Sequence, residues 1–395
     1  MASTTTNNSL FQTVYGWTDP FLPESLDWLV FLIAGSSIAL FIVNSLMILT
    51  MIYIYMERRL IGRFQSRIGP NRVGPFGLFQ PLADGIKILT KEDIVPSGAD
   101  RWVFNLAPVV MFSPVLLALA VIPFGENAFL ADINVGLLYF IALSTITTLA
   151  MFMAGWASGN RYALFGSMRA VAQLISYEIP VVLSVVGILI MVGSLSLVKI
   201  VDEQRIPFIL LQPMGFLIFL IGASAELNRT PFDLMEAESE IVAGFHTEYS
   251  GMKFGMFYMA EFSGVLVTSA VMATLFLKGW EGPFLPSPVW FLIKVFFLAY
   301  IMIWIRATLP RLRIDQVLSF AWKILFPLSL INIFATAVEV WLWPDPTTVQ
   351  LWAMVTINML VAAVSFIAVS NIGKRQDYTK KNVAKSTTQS AMEAK

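Results

Sequence analysis

Residues 133–156 read INVGLLYFIALSTITTLAMFMAGW, a stretch of 24 residues without a charged side chain. A bilayer core of about 30 Å is crossed by roughly 20 residues of helix, so this stretch is long enough to span a membrane. Eight further stretches are also predominantly apolar and long enough, and they predict the same structure. The nine predicted spans are 26–55, 103–123, 133–156, 170–198, 208–227, 254–277, 289–309, 318–343 and 349–371.

The composition of the whole chain agrees with this prediction. Of the 395 residues, 57% are hydrophobic and only 13% are charged, and the mean hydropathy is +0.73. A soluble domain of this length would carry roughly twice that share of charged residues. The predicted fold class is therefore all-α: a polytopic membrane protein with about nine transmembrane helices and an amphipathic helix on the cytoplasmic side.

Basic residues are distributed unevenly between the loops. If the N-terminus lies outside the cell, 22 of the 26 Lys and Arg residues fall on the cytoplasmic side, eight of them after the first span. Lys and Arg accumulate in cytoplasmic loops, so the N-terminus is predicted outside and the C-terminus inside.

The chain is predicted to form one membrane domain with polar ends. Its first residues lack the basic start of a cleavable signal peptide. Its last residues are polar, as in disordered tails. The predicted divisions are a polar N-terminal segment 1–25, a transmembrane domain 26–372 with long loops at 56–102 and 228–253, and a disordered cytoplasmic tail 373–395.

Several kinds of site are excluded by residue counts. The chain has no cysteine and one histidine, which leaves no ligand set for haem, an iron–sulfur cluster or a zinc site, so no metal site is expected. Acidic and basic residues number 26 each, which gives no reason to expect a nucleic-acid partner. Any electron chemistry must therefore involve another chain or a diffusible carrier.

The first long loop combines fixed positive charge with an amphipathic helix. It reads MERRLIGRFQSRIGPNRVGPFGLFQPLADGIKILTKED from residue 56 to residue 93. Phe79, Leu82, Ile86 and Leu89 recur at helical spacing, which predicts a short helix on the membrane surface. Two interpretations stay open: the arginines bind anionic lipid headgroups, or the loop forms the mouth of a site for a lipid-soluble, redox-active head group.

The second long loop is acidic. Residues 225–262 read AELNRTPFDLMEAESEIVAGFHTEYSGMKFGMFYMAEF and hold seven of the 26 carboxylates: Glu226, Asp233, Glu236, Glu238, Glu240, Glu248 and Glu261. Thr230, Pro231 and Asp233 resemble a helix start, which would place Asp233, Glu236 and Glu240 on one face. Such a run is either a solvated acidic face or, in surroundings of low dielectric constant, a coupled set of carboxyls that share protons.

Glu178 lies inside the fourth predicted span. An ionised carboxylate at mid-bilayer costs about 2.5–3.5 kcal/mol or more, so it normally faces the bundle interior or water. Pro180 frees a backbone carbonyl nearby, and Gln173 and Tyr177 form a neighbouring polar strip. Glu178 is either part of a proton path or an interhelical polar contact that holds the bundle together.

Three other ionisable residues are given no role. Lys294 and Glu339 lie near the outer ends of their spans, where long side chains can extend to the surface. His246 is the only histidine and is expected to be a loop residue rather than a catalytic base.

Six motifs together resemble one family, the membrane H subunit (subunit 1 in mitochondria) of NADH-quinone oxidoreductase, respiratory complex I. The resemblance extends over about residues 26–343. The motifs, with their first residue numbers, are ERR from 57, RIGPNRVGPFGLFQPLADGIKILTKED from 67, SYE from 176, AELNRTPFDLMEAESE from 225, GFHTEYSGMKF from 244 and WIRATLPRLRIDQ from 304.

The resemblance implies two groups of functional residues. One group lines or shapes a long quinone chamber: Glu57, Arg58, Arg67, Asp84, Lys87 and Arg306. The other is a buried chain of carboxylates that couples quinone reduction to proton translocation: Glu178, Glu226, Asp233, Glu236, Glu238, Glu240, Glu248 and Glu261.

The resemblance also implies cofactors and partners. Quinone is the substrate and no cofactor is bound covalently, while NADH, FMN and the iron–sulfur clusters belong to partner subunits. The implied partners are the peripheral quinone-site and iron–sulfur subunits, the adjacent small membrane and antiporter-like subunits, and membrane lipid. Met235 departs from the family pattern, and the ninth span with its tail indicates a bacterial plasma membrane.

Two alternative functions stay open at this point. The chain could be the homologous subunit of a membrane-bound hydrogenase or of a complex fed by ferredoxin. It could also be a stand-alone proton-coupled transporter, a different class of protein. The complete basic loop and acidic motif favour the quinone type.

Overall fold

The computed structural model describes residues 14–16, 27–126, 128–235, 243–344 and 346–369. The principal helices are α1 (Asp27–Phe64), α2 (Gln80–Leu89), α3 (Arg101–Ala118), α4 (Gly136–Ala157), α5 (Arg161–Val192), α6 (Leu197–Asp202), α7 (Pro213–Glu226), α8 (Gly251–Phe276), α9 (Ser287–Thr308), α10 (Ile314–Leu342) and α11 (Thr348–Val369). Short helical turns lie at Pro75–Gly77, Phe208–Leu211 and Gly244–His246.

Within the described part of the chain, eight helices are long and apolar enough to cross a membrane: α1, α3, α4, α5, α8, α9, α10 and α11. This confirms the predicted all-α, polytopic class. The predicted terminal segment 373–395 and most of 1–25 lie outside the described residues.

The fifth predicted span, 208–227, is not one full-length helix. A four-residue helix ends before Gln212, whose backbone is not helical, and α7 then begins at Pro213. Proline disfavours helical geometry in the residue before it, which explains the break. At 14 residues, α7 is about 21 Å long, too short to cross a hydrocarbon core of about 30 Å.

Two helices are longer than predicted on the side of the arginine-rich loop. α1 continues to Phe64, so Glu57 and Arg58 lie on the helix rather than in a loop. α5 begins at Arg161, nine residues before the predicted start, because the Asn160 side chain accepts a hydrogen bond from the Tyr162 backbone (2.9 Å) and caps it.

The predicted amphipathic helix is present as α2. Its apolar residues Leu82, Ile86 and Leu89 are exposed, as is Phe79 just before it. A row of exposed apolar side chains on a short helix is typical of a helix at a membrane surface.

The order of the helices divides the loops between two sides of the bundle. We call the side that carries the arginine-rich loop 65–100 the basic side, and the other the opposite side. The basic side also has the described segments 158–160, 227–235, 243–250 and 309–313, and the opposite side has 119–126, 128–135, 193–212, 277–286, 343–344 and 346–347. Which side faces the cytoplasm stays a prediction.

α8 and α5 form the centre of the bundle. α8 is the most buried of the eight long helices and packs against α1, α3 and α9. α5 packs against α4, α7 and α10. α4 and α5 approach closely at Gly155, where an added Cβ atom would overlap Ser167 Oγ and lie 2.7 Å from the Ala163 carbonyl oxygen.

We predict that Gly155→Ala destabilises the protein by about 1–3 kcal/mol, since the methyl group forces α4 away from α5. Gly85→Ala is the matched control, because no atom lies within 4 Å of its added Cβ atom and alanine favours the α2 helix. Thermal denaturation of the detergent-solubilised protein measures both. Equal midpoints for the two variants would contradict the close packing at Gly155.

Candidate functional site

A buried ion-pair cluster joins three elements on the basic side. Glu57 on α1 is 3% exposed, and its Oε1 lies 3.4 Å from Nη1 of Arg229, in the loop after α7. Arg306, at the end of α9, donates to the same oxygen. The Arg229 guanidinium also lies over the Phe262 ring of α8, 4.4 Å from its centroid. One carboxylate therefore holds two cations and fixes where α1, α9 and the loop meet.

A second ion pair ties α1 to the surface helix α2. Arg58 Nη1 donates to Asp84 Oδ2 (2.5 Å), and Lys87 Nζ lies 3.5 Å from Asp84 Oδ1. Burial alone would raise the pKa of Asp84, but the hydrogen bond and charge of Arg58, with help from Gln80 and Lys87, outweigh it. The pKa of Asp84 therefore lies below its ordinary value.

The remaining arginines of this loop differ in their contacts. Arg67 is exposed beyond the end of α1, and its Nε donates to Gln65 (2.7 Å). Arg59, which the sequence did not single out, donates to the Phe76 carbonyl (3.0 Å) and to the Tyr55 hydroxyl. Arg59 therefore fixes the turn that precedes α2. Its position directly after Arg58 was the only signal of this role in the sequence.

Three carboxylates from three helices line two cavities in the bundle. Glu226, Glu261, Ser144 and Thr268 contribute to a cavity of about 80 Å³ between α3, α4, α8 and the end of α7. Glu226 and Ser144 also line a second cavity of about 20 Å³, together with Glu178. A water molecule needs about 10–15 Å³ of such volume, so both cavities can hold water. Glu226 is the carboxylate that both cavities share.

Glu178 is half-buried and its contact reaches across to α4. Thr145 Oγ1 donates to Glu178 Oε1 at 2.5 Å. This bond is an interhelical polar contact, and Glu178 lines the smaller cavity as well. The position of Glu178 is therefore compatible with both interpretations, the interhelical polar contact and the proton path.

Glu226 reaches the cavities because α7 is short and its end is held by α5. Gln173 Nε2 donates to the Ala225 carbonyl (2.9 Å), the Phe232 carbonyl (2.9 Å) and Asn228 Oδ1 (3.3 Å). These bonds draw the chain that follows α7 against α5. The sequence marked Gln173 only as a polar neighbour of Glu178.

The predicted helix start at Thr230 and Pro231 is wrong. Residues 230–235 form turns, because their carbonyl groups bond to other elements instead of continuing a helix. The Pro231 carbonyl accepts from the Leu312 backbone N–H (3.0 Å), and the Phe232 carbonyl accepts from Gln173. Asp233 is nevertheless buried, and its Oδ2 accepts from Arg311 Nη2 at 3.1 Å.

The other acidic residues that the sequence placed in the carboxylate chain differ in their positions. Glu236, Glu238 and Glu240 lie outside the described residues. Glu248 Oε1 accepts from Asn160 Nδ2 (2.7 Å), so it is joined to the residue that caps α5 rather than to the cavities. Glu261 lies inside α8, as predicted.

His246 is a loop residue, as expected, and it is buried beside Phe245, Phe254 and Tyr258. Burial lowers the pKa of His246 to about 4, although the charge of Asp233 opposes this shift. The imidazole is therefore neutral at neutral pH.

Lys294 and Glu339, which the sequence allowed to extend to the surface, differ in their positions. Lys294 Nζ donates to the backbone carbonyls of Leu277 (2.7 Å), Gly279 (2.9 Å) and Glu281 (2.7 Å). It therefore satisfies the carbonyl groups that follow the end of α8. Glu339 is only 3% exposed, because α11 covers it. No local pattern in the sequence indicated this packing between α10 and α11.

Comparison with known proteins identifies similar chains over most of the length. A family model described as NADH dehydrogenase matches residues 37–337. A protein of Dehalococcoides mccartyi (strain CBDB1), named as the H subunit of NADH-quinone oxidoreductase, is 58% identical over 311 residues, which cover 79% of this chain and 87% of the relative.

Two relatives from other bacteria match similar shares of this chain. An NADH-quinone oxidoreductase H subunit of Geobacter sulfurreducens, numbered 2 in that organism, is 51% identical over 314 residues, 77% of this chain and 95% of the relative. The NADH-quinone oxidoreductase H subunit of Brevibacillus brevis is 52% identical over 293 residues, 73% of this chain and 87% of the relative.

We predict that Glu57→Gln destabilises the protein by about 3–5 kcal/mol, because it leaves the Arg229 and Arg306 charges without their shared partner. Asp84→Asn is the matched control: its pair with Arg58 is partly exposed and should contribute less than about 1 kcal/mol. Thermal denaturation in detergent compares the two. Equal losses of stability in the two variants would show that the buried Glu57 cluster contributes no more than the partly exposed Arg58–Asp84 pair.

We predict a pH dependence of stability that arises from His246. The unfolded chain has the ordinary histidine pKa of about 6.5, whereas the folded pKa is about 4. The contribution of His246 to the free energy of unfolding is therefore fully present above about pH 6.5. It is lost as the pH falls toward 4, by about 1.4 kcal/mol per pH unit.

His246→Gln should remove this slope, since glutamine does not titrate. Denaturation midpoints of the wild type and the variant between pH 4 and about 7 measure the difference. If the midpoints of the two proteins changed with pH in parallel, a neutral, buried imidazole would be ruled out as the source of the pH dependence.

Proposed function

Because the chain belongs to the NADH dehydrogenase family, as a member of the H-subunit group of NADH-quinone oxidoreductases, we propose that it couples quinone reduction to proton translocation. In this proposal it forms the quinone-access chamber of the complex and supplies a chain of carboxylates. Its eight apolar helices make it an integral membrane protein, and its relatives named above are bacterial, so its membrane is the bacterial plasma (inner) membrane.

The observation that carries the proposal is the position of Glu226 in both cavities. Glu178, Glu226 and Glu261 come from different helices and line adjoining spaces that can hold water. Closely spaced carboxyls in surroundings of low dielectric constant do not all ionise, so they titrate as a set and exchange protons. Quinone reduction consumes protons as well as electrons, and such a set can respond to that demand.

The basic side supplies the features that a quinone entrance needs. The exposed apolar face of α2 offers contact to a lipid-soluble molecule, and the Arg58–Asp84 pair holds α2 to α1. The buried cluster of Glu57, Arg229 and Arg306 lies at the same ends of α1 and α9. In the proposal, this cluster borders the chamber, and a reduced, charged head group changes the field that its guanidinium groups experience.

A single turn of chain connects the two regions. Arg229 binds Glu57, and Glu226, three residues earlier, lines the cavities. The Arg229 backbone N–H donates to the Ser224 carbonyl (3.1 Å), which fixes the turn between them. A displacement of Arg229 during quinone reduction would therefore move Glu226 directly. This turn is the physical link that we propose between quinone chemistry and proton transfer.

Electron carriers are assigned to other chains in this proposal. NADH, FMN and the iron–sulfur clusters belong to the peripheral subunits, and the adjacent small membrane and antiporter-like subunits receive the coupling signal. Quinone is the substrate, and membrane lipid surrounds the apolar helices. Glu236, Glu238 and Glu240 are proposed members of the same carboxylate chain, beside Asp233 and Glu248.

We predict that Glu226→Gln in the assembled complex lowers quinone-linked proton pumping by at least about tenfold, since a positioned proton-transfer group contributes about 10²–10⁴ in rate. Reduction of a water-soluble electron acceptor by NADH should be unchanged, because that reaction needs only the partner subunits. Membrane vesicles that contain the complex allow both rates to be measured on one sample.

Glu281→Gln is the matched control for this experiment. Glu281 is a carboxylate on the opposite side, paired with Lys278 and not part of either cavity lining. Its substitution should leave pumping unchanged. If Glu226→Gln pumps protons and reduces quinone at wild-type rates, Glu226 has no part in coupling.

A further inference from the structure

A second group of buried polar side chains lies between α5, α7 and α10, away from the cavities described above. Asn332 Nδ2 donates to Gln212 Oε1 (2.6 Å), and Gln212 Nε2 donates to Thr336 Oγ1 (2.7 Å). All three side chains are at most 3% exposed. Glycine at 187 allows the close fit, because a Cβ atom there would lie 2.7 Å from Gln212 Oε1. We call Gln212, Asn332 and Thr336 the amide cluster.

Glu339 continues the amide cluster toward the opposite side. It follows Thr336 by one helical turn on the same face of α10 and is 3% exposed. Its Oε2 accepts from Asn358 Nδ2 of α11 (2.8 Å). Its Oε1 is buried and has no hydrogen-bond partner among the described residues. No ion pair between described residues involves Glu339, so this carboxylate is held by an amide and not by a cation.

Burial of this kind strongly favours the neutral form of a carboxyl group. An ionised carboxylate in an apolar bundle costs several kcal/mol unless a cation or several hydrogen bonds compensate it. Among the described residues, the polar groups placed beside Glu339 are uncharged: Thr336 one turn earlier on α10, Gln212 bound to Thr336, and Asn358 on α11. The proton that Glu339 needs must reach it from an aqueous phase.

A crevice on the opposite side comes close to Glu339, although Glu339 itself does not line it. Its volume is about 190 Å³, and its lining includes Val340, which directly follows Glu339, together with Glu203 and Arg205. The volume is sufficient for several water molecules, and the two charged residues supply polar partners for them. Met191 also lines the crevice, and its Sδ lies 3.9 Å from Gln212 Nε2. The crevice therefore ends one side chain away from the amide cluster, with Met191 between them.

We propose that Glu339 is a proton-binding site that exchanges with the aqueous phase on the opposite side through this crevice. The site goes beyond the function proposed above, because Glu339 lies between α10 and α11 and does not line either cavity of Glu226. Its ligand is the proton, and Glu203 and Arg205 are the charged residues among those described that line the crevice.

A hydrophobic carbodiimide tests the proposal on the intact complex in sealed vesicles. The reagent takes up the carboxyl proton and adds the carboxylate oxygen to its central carbon, and the product rearranges to a stable N-acylurea. Only a protonated carboxyl in apolar surroundings reacts readily in this way. Peptide mass spectrometry then measures the modification at Glu339 while the two compartments are buffered separately.

We expect Glu339 to be modified, and several-fold faster when the opposite-side compartment is made acidic than when it is made alkaline. Changing the pH of the basic-side compartment alone should have little effect. Glu281 on the same side is the internal control: it is partly exposed and paired with Lys278, so it should remain largely unmodified. Asn358→Leu removes the amide donor and should keep or increase the reaction at Glu339.

Three results would overturn the proposal. Glu339 could remain unmodified at every pH, its modification could follow the basic-side compartment, or it could react no faster than Glu281. The measurement uses the wild-type chain, so it does not depend on a variant that folds. It is also separate from proton pumping, and therefore its outcome is independent of the experiment on Glu226.

Discussion

The whole arrangement depends on one constraint: a charge buried among apolar helices must have an opposite charge in contact with it. Glu57 meets this constraint by holding both Arg229 and Arg306, so α1, α9 and the loop after α7 can converge only where all three side chains reach. Asp233 meets it in the same way through Arg311. The segment that ends α9 and leads into α10 thus supplies cations to two acids from separate elements.

The carboxylates therefore fall into two kinds with different uses. Glu57 and Asp233 are paired with arginine, and these ion pairs position elements; Asp233 exchanges a proton in the proposed chain only when its pair with Arg311 opens. Glu178 instead has a hydroxyl partner and Glu226 lies against cavity walls, and neither forms an ion pair with another described residue. Only the second kind can gain or lose a proton without breaking an ion pair. The chain from Glu226 to Arg229 joins one kind to the other within a single turn.

Local sequence patterns predicted those features that depend on local structure. Long apolar runs predicted the transmembrane helices, and apolar residues at helical spacing predicted α2. Patterns failed where distant residues decide the conformation. The turn at Pro231 has the residues of a helix start, yet Gln173 and Leu312 bind its carbonyls from other elements. The sequence allowed Glu339 to extend to the surface, but it is buried and bonded to Asn358 of α11.

α7 determines how the two proposed proton sites can communicate. Glu178 and Gly187 are nine residues apart on α5, which places them on opposite faces of that helix, so the cavities and the amide cluster are separated by its backbone. α7 connects them: it follows Gln212 in the amide cluster and ends at Glu226 in the cavities. Residues 213–225 include no ionisable side chain, so this part of α7 offers no titratable group for a proton. It can transmit a displacement, so α7 offers a route for mechanical coupling between the two sites.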